Sequence, residues 1–242
     1  MMKGSKKTIC IEKKASSEIA SSLKNIKHDG FFFKEEPTRV FHYDNLAAHV
    51  LGYVGPLTEE DLTKDTGKQY YRSESIGKAG LEIQYDSYLR GIPGIRTLIV
   101  DRKEAITRES QNTKPTAGDH LVTSLDIRLQ AAAEQALADA VKRGRANGYT
   151  SDSGAAVVMD IRTGRILALA SYPTYDPNAF EKGLTVQQAS DLFSEKKAVP
   201  ALNRALQGLF APASTFKTVS VVAAAAAGYD LNAAYNCPSE VQ

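Results

Sequence analysis

Cysteines, long apolar runs and an excess of charge of one sign are nearly absent from this 242-residue sequence. Cys10 and Cys237 lie near opposite ends, in neither a metal-ligand spacing nor a disulfide framework, so we expect two free thiols. Thirty basic residues against 28 acidic ones give a net charge of +2. A nucleic-acid-binding protein needs a concentrated basic face, and so we expect no nucleic-acid partner.

No apolar run in the sequence is long enough to span a bilayer. The best candidate, residues 219–227, would reach roughly 14 Å as a helix at ~1.5 Å per residue. That is about half of a ~30 Å hydrocarbon core. The first 14 residues are polar and lysine-rich with no apolar core behind them, unlike a signal peptide. We therefore expect a soluble chain whose 242 residues include no membrane anchor.

The first half of the chain predicts short elements of mixed type. Helical patterns lie at 12–27, 46–51, 58–61 and 75–90, and strand-like runs lie at 31–33, 40–41 and 96–100. Residues 112–118 contain Pro115 and several small polar residues, which is typical of a linker. This predicts one domain over residues 1–118 and a second over residues 119–242.

The second half has stronger patterns. Asp126 can cap a helix with one apolar face, formed by Leu129, Ala133, Ala136, Leu137, Ala140 and Val141. Residues 154–160 and 165–170 predict a β-hairpin around Arg162-Thr163-Gly164. Pro212 then leads into an apolar, buried helix that ends near Gly228. The fold class expected for the whole chain is α+β.

Ser214-Thr215-Phe216-Lys217 carries the strongest chemical signal. A serine hydroxyl needs a base nearby, and a lysine three residues later on a helix shares its face. Burial in an apolar helix would let that lysine accept a proton, because desolvation disfavours the ammonium. Backbone N–H groups in the first helical turn could stabilise an oxyanion.

Spacing alone does not single out this pair, since the S-x-x-K pattern occurs four times. Ser21/Lys24 and Ser194/Lys197 lie in polar, charged segments, and Ser75/Lys78 lies beside Gly77 and Gly80. Ser110-Gln111-Asn112 and Arg162-Thr163-Gly164 look like further catalytic triplets, but we interpret the first as a polar loop and the second as a hairpin turn. Only Ser214 has a proline two residues before it and an apolar helix after it.

Several motifs, in this order, resemble class B penicillin-binding proteins. They are Arg39, residues 47–55 (AAHVLGYVG), Gly77–Gly91, Ser124–Asp126 with Gln130 and Glu134, residues 154–178, and Asn203–Lys217. Pro212-Ala213 departs mildly from the commoner Pro-Gly before the serine. The elongation, cell-shape members are most similar. The resemblance implies a non-catalytic pedestal, or dimerisation, domain followed by the first hairpin and nucleophile helix of a β-lactamase-like serine transpeptidase domain.

The resemblance also implies a reaction and a set of partners. Ser214 would attack the D-Ala-D-Ala bond of a peptidoglycan stem peptide, with Lys217 as the base, and β-lactam antibiotics would acylate the same serine. The pedestal, including Arg39 and Gly77–Gly91, would be structural or bind other elongation or division proteins. No metal or organic cofactor is expected, and the location would be the extracytoplasmic face of the bacterial cytoplasmic membrane.

Two family motifs are missing from these 242 residues. The S-x-N motif and the K-[ST]-G strand would lie downstream of Gln242, so we expect the chain alone to be an inactive transpeptidase. A serine β-lactamase or β-lactam sensor is the first alternative, because S-T-F-K occurs there too. A non-enzymatic pedestal module is the second. We also expect poor solubility, since a cut sheet leaves an open edge and an apolar face.

Overall fold

The computed structural model describes most of the chain, as two compact units that are considered separately. The units are Met1–Leu206 and Gln207–Gln242. The described residues are 16–24, 38–63, 70, 75–102 and 106–234. Both cysteines and the strand expected at 31–33 lie outside these residues.

The described strands form three separate antiparallel pairs, all in the first unit. In chain order the strands are β1 (Val54–Pro56), β2 (Ser75–Gly77), β3 (Ile95–Val100), β4 (Ile106–Thr113), β5 (Gly154–Met159) and β6 (Ile166–Tyr172). Each odd-numbered strand pairs with the next one. Helices and strands therefore occur together, which confirms the expected α+β class.

The helices are short except for one. They are α1 (Ser17–Lys24), α2 (Ala48–Leu51), α3 (Glu59–Thr63), α4 (Gly80–Gln84), α5 (Asp86–Leu89), α6 (Ile127–Ala146), α7 (Asn178–Lys182), α8 (Val186–Phe193), α9 (Arg204–Gln207) and α10 (Lys217–Ala226). Two 3₁₀ turns, Glu195–Lys197 and Ala213–Phe216, precede α9 and α10 respectively. In the described residues no helix is long and apolar enough to cross a membrane.

Helix α6 and the β5–β6 hairpin agree with the sequence prediction. The Asp126 carboxylate accepts from the N–H groups of Arg128 (2.9 Å) and Leu129 (3.2 Å), which caps α6. In the hairpin turn Asp160 accepts from the Arg162 N–H (3.0 Å) and the Thr163 hydroxyl (2.8 Å). These local polar contacts fix both elements, and α6 packs along β6 and β5.

The predicted helix at 75–90 is wrong in its first part. Ser75–Gly77 instead forms β2, and the helical residues that follow are divided between α4 and α5. Gly77 is the reason, because a Cβ there would lie 2.0 Å from the Glu82 carbonyl oxygen. Gly80 has φ +56°, a left-handed conformation that glycine adopts without steric cost. The two glycines permit a close approach that a continuous helix would prevent.

Two other predictions in the first half are corrected. Val40 and Phe41 form no strand: the Phe41 N–H donates to Asn178 Oδ1 (2.9 Å), and its carbonyl accepts from Asn178 Nδ2 (3.0 Å). A side chain thus replaces a strand neighbour. Ser110-Gln111-Asn112 is not a loop but lies within β4, where Asn112 pairs with Arg96. The expected linker therefore begins after Thr113.

Candidate active site

The S-x-x-K segment lies at the start of a helix, as the sequence predicted. Ser214 is the second residue of the 3₁₀ turn Ala213–Phe216, and Lys217 is the first residue of α10. The Lys217 N–H donates to the carbonyls of Ser214 and Thr215, which joins the turn to the helix. Side chains three residues apart share a face in such a turn. The backbone therefore places Ser214 and Lys217 on one side of the element.

The entry to this turn is built around Pro212 and Ala213. The Thr215 N–H donates to the Pro212 carbonyl (3.0 Å), which also accepts from the Thr215 hydroxyl. Ala213 has φ 44°, in the left-handed region where a side chain costs roughly 1–2 kcal/mol. The departure from Pro-Gly noted in the sequence therefore falls at the residue whose conformation favours glycine.

The expectation that this helix is buried is wrong for the described chain. Every residue from Ala211 to Ala223 is exposed, including Ser214, Lys217 and the apolar Phe216. Lys217 is therefore open to water and is not surrounded by the apolar side chains that the sequence led us to expect. Within the described residues no hydrogen bond joins the Ser214 and Lys217 side chains. The two residues have the right backbone arrangement but lack the apolar setting.

The other S-x-x-K lysines whose side chains are described are bound to carboxylates. Lys78 forms an ion pair with Asp61. Hydrogen bonds from Lys78 and then Thr58 hold the pKa of Asp61 well below its usual range. Lys197 lies 2.6 Å from Asp191, and its hydrogen bond lowers the pKa of that carboxyl. Both lysine amines are thus occupied by a carboxylate partner.

Arg204, in the approach to the nucleophile segment, forms a network that the sequence patterns did not predict. It is 7% exposed, and its guanidinium donates to the carbonyls of Ala198, Val199 (3.1 Å) and Leu202 (3.4 Å). Burial lowers the pKa of Arg204 below its ordinary value, while the charge of Asp152 raises it. The sequence indicated this residue only through Asn203-Arg204-Ala205, a motif that resembles the one found in the family.

His49, in the pedestal part of the sequence, contacts the segment that leads to the nucleophile motif. Its Nε2 lies 2.7 Å from the Pro200 carbonyl oxygen, and its own carbonyl accepts from Asn203 Nδ2 (3.0 Å). The ring lies edge-on to Tyr175 at 5.0 Å, and the Tyr175 hydroxyl donates to the Ala48 carbonyl (3.2 Å). Burial lowers the pKa of His49, as does the charge of Arg204, whereas the Pro200 carbonyl raises it.

A second, partly buried network joins Arg39 to the Gly77–Gly91 motif. The Arg39 guanidinium contacts both Glu82 oxygens, Nε–Oε1 at 2.8 Å and Nη2–Oε2 at 3.1 Å. Asp86 accepts from the Gly77 N–H (3.0 Å), which connects α5 to β2. Burial raises the pKa of Glu82, while Arg39 lowers it. Arg39 was expected to be structural or to bind a partner; these contacts favour the structural role, which stays a prediction. Among the described residues no group of three or more potential ligands could hold a metal ion.

Comparison with known families agrees with this arrangement. The penicillin-binding protein dimerisation domain matches residues 2–123, and the penicillin-binding protein transpeptidase domain matches residues 154–242. The chain belongs to the class B penicillin-binding proteins. This confirms the expected order of a dimerisation domain followed by the start of a transpeptidase domain. The boundary between residues 118 and 119 stays a prediction.

Individual relatives are much longer than this chain. The peptidoglycan D,D-transpeptidase MrdA of Acinetobacter baumannii is 36% identical over 196 residues, which are 81% of this chain and 27% of that protein. A solved peptidoglycan synthase complex that coordinates polymerization and crosslinking contains a chain with a TM-score of 0.67 and 32% identity, covering 90% of this chain and 38% of that one. A solved complex between PBP2 and MreC from Helicobacter pylori contains a chain with a TM-score of 0.60 and 31% identity. The match covers 81% of this chain and 34% of that one.

Proposed function

We propose that this chain is part of a peptidoglycan D,D-transpeptidase of the elongation type, with Ser214 as nucleophile and Lys217 as base. The observation that carries the proposal is the position of Ser214-x-x-Lys217 at the start of a helix inside the segment that matches the transpeptidase domain. We place the working site at the extracytoplasmic face of the cytoplasmic membrane, as the family resemblance implies.

The reaction follows from the two side chains. Lys217, as a neutral amine, takes the proton of the Ser214 hydroxyl while Oγ attacks the carbonyl carbon of the penultimate D-Ala. The bond to the terminal D-Ala breaks, that residue leaves as an amine with the proton, and Ser214 holds the acyl group. The amine of a neighbouring stem peptide then attacks the ester, which forms the cross-link and returns the proton to Ser214. A β-lactam would acylate the same oxygen by ring opening.

The 242-residue chain by itself should not perform this reaction. The proton acceptor must lose its hydration, and Lys217 is exposed. A transition state of this kind also needs hydrogen-bond donors aimed at the oxyanion, where removal of one donor costs about 10²–10³ in rate. Ser214 can contribute its own N–H, and its surroundings among the described residues are exposed to water.

Penicillin acylation tests the proposal. We would extend this chain past residue 242 with the C-terminal remainder of the Acinetobacter baumannii transpeptidase domain and expose it to a fluorescent penicillin. We expect labelling of Ser214 in the extended protein and no labelling of the 242-residue chain. Ser214→Ala should abolish the label, whereas Ser220→Ala, at an exposed serine of α10, should retain it.

The possible outcomes separate the alternatives. Labelling that survives Ser214→Ala would refute the assignment of the nucleophile. Rapid hydrolysis of a chromogenic cephalosporin, with no stable label, would favour a β-lactamase. A stable acyl-enzyme formed by the 242-residue chain alone would contradict the expected inactivity.

A second role, in protein binding, is supported by the pedestal. The family's dimerisation domain covers residues 2–123, and a relative has been solved in a complex with MreC. We propose that this part of the chain binds another cell-elongation protein. A pull-down with an MreC-type protein should be undiminished by Ser214→Ala. Failure of the unaltered chain to bind would remove this second role.

A further inference from the structure

The turn that precedes α9 contains two strained residues. Ala198 has φ 55° and Val199 has φ 37°, both in the left-handed region. For residues other than glycine this conformation costs roughly 1–2 kcal/mol, and a β-branched residue such as valine is a clear outlier there. Strained residues persist only where the surrounding contacts hold them, and they concentrate at functional sites.

Arg204 supplies contacts that can hold the turn. Its Nη1 donates to the carbonyls of Val199 and Leu202, and its Nη2 donates to the carbonyl of Ala198. All three partners are neutral, and no ion pair to Arg204 is found within the described chain. Burial of a cation among neutral carbonyls costs free energy, so we expect it only where those carbonyls have to be held in a particular geometry. A planar guanidinium can reach carbonyls in several directions at once, which a lysine ammonium does not do equally well.

The turn is also attached to β6. The Arg204 N–H donates to Ser171 Oγ (3.0 Å), and Ser171 Oγ donates to the Leu202 carbonyl (3.2 Å). Ser171 is itself buried near the end of the strand. The side chain of Arg204 therefore holds the turn, while its backbone joins the start of α9 to the β5–β6 hairpin.

We propose that Arg204 is a positioning residue for the turn 198–202 and for the start of α9. Its guanidinium holds the two left-handed residues of this turn, while its backbone N–H attaches the turn to β6, and together these contacts fix where α9 begins. This inference does not depend on the proposed function.

Hydrogen exchange in the 242-residue chain tests the inference. The N–H groups of Ala198, Val199, Ala201 and Leu202 all donate to backbone carbonyls in and around the turn. In Arg204→Lys we expect these amides to exchange at least about tenfold faster, while the amides of α6 keep their rates. Arg143→Lys, the same chemical change at an exposed position of α6, should alter neither set.

A second substitution distinguishes positioning from general stabilisation. Val199→Gly removes the side chain that makes the left-handed turn costly, so it should restore slow exchange in the Arg204→Lys background. If α6 exchanges faster to the same extent as the turn, or if Val199→Gly gives no recovery, the positioning role is overturned. The measurement requires no acylation, so absence of penicillin labelling would remove the proposed function and leave this result intact.

Discussion

At the scale of single residues, Gln130 is completely buried and bound to backbone rather than to apolar side chains. Its Nε2 donates to the Leu169 carbonyl (3.0 Å) and to Glu134 Oε1 (2.7 Å), and its Oε1 accepts from the Leu169 N–H (2.8 Å). The carboxamide thus pairs with β6 as a neighbouring strand would. Its contribution follows from the two backbone groups that it satisfies.

Replacement of Gln130 by Met tests this contribution. Methionine has a similar length but leaves the Leu169 N–H and carbonyl without partners in a buried site, so the free energy of unfolding should fall by about 2–4 kcal/mol. Urea denaturation provides the measurement. Gln135→Met is the matched control, because Gln135 is exposed on the same helix. Equal stability of the two variants would refute the role given to Gln130.

The sequence pattern did not predict this polar face. It placed six apolar residues on one side of α6, yet of these only Val141 is buried, while Ala136 and Ala140 are exposed. Periodicity counts apolar residues, whereas the strand beside α6 offers backbone groups that need a polar partner. Asp126 was predicted correctly because a helix cap depends on contacts within a few residues.

At the scale of elements, α10 is apolar and exposed. Val219, Val221 and Val222 are each more than half exposed in this helix, whose single charged residue is Lys217, and so is Phe216 in the turn before it. An apolar surface of this kind favours association with other proteins or with further copies of the chain. The poor solubility expected from the sequence stays a prediction, and this surface is the feature of the described residues that favours it.

Introduction of a charge on this face should reduce association. We expect Val222→Lys to lower the amount of large species seen by light scattering, since lysine adds charge and favours helix more than valine does. Val122→Lys is the control: Val122 is also exposed but lies far along the chain in the first unit. Association that is unchanged by Val222→Lys would show that another surface is responsible.

Elements defined by local signals agreed with the sequence, and elements defined by distant contacts did not. The β5–β6 hairpin and the start of α10 depend on turn residues and on Pro212. By contrast β2 depends on pairing with β1 and on the space that Gly77 leaves beside Glu82. The exposure of α10 could not be predicted from the sequence either. An apolar composition shows that a helix is suited to burial, but it does not show whether other residues cover the helix.

At the scale of the whole molecule, the contacts of His49 make the attachment of the pedestal segment sensitive to pH. The imidazole faces the Pro200 carbonyl, the Tyr175 ring and the charge of Arg204, and it is 5% exposed. Burial lowers the pKa of His49 in the folded chain, so protonation is easier in the unfolded chain, where the pKa is about 6.5. The contribution of neutral His49 to the free energy of unfolding is fully present above about pH 6.5. It is lost as the pH falls through about 6.5 towards the folded-state pKa.

The same contacts predict how the melting temperature changes with pH. Between pH 7.5 and pH 5.5 the melting temperature should fall less in His49→Gln than in the unaltered chain, because glutamine can still donate to the Pro200 carbonyl but binds no proton. His120→Gln, at an exposed position, should keep the full pH dependence. Because His49 and Arg204 both hold the segment 198–204, acid should also accelerate amide exchange at Ala201 before it affects α6. If acid instead affected both regions equally, His49 would stabilise the unit as a whole, and the attachment of the pedestal to the approach segment would not depend on its protonation.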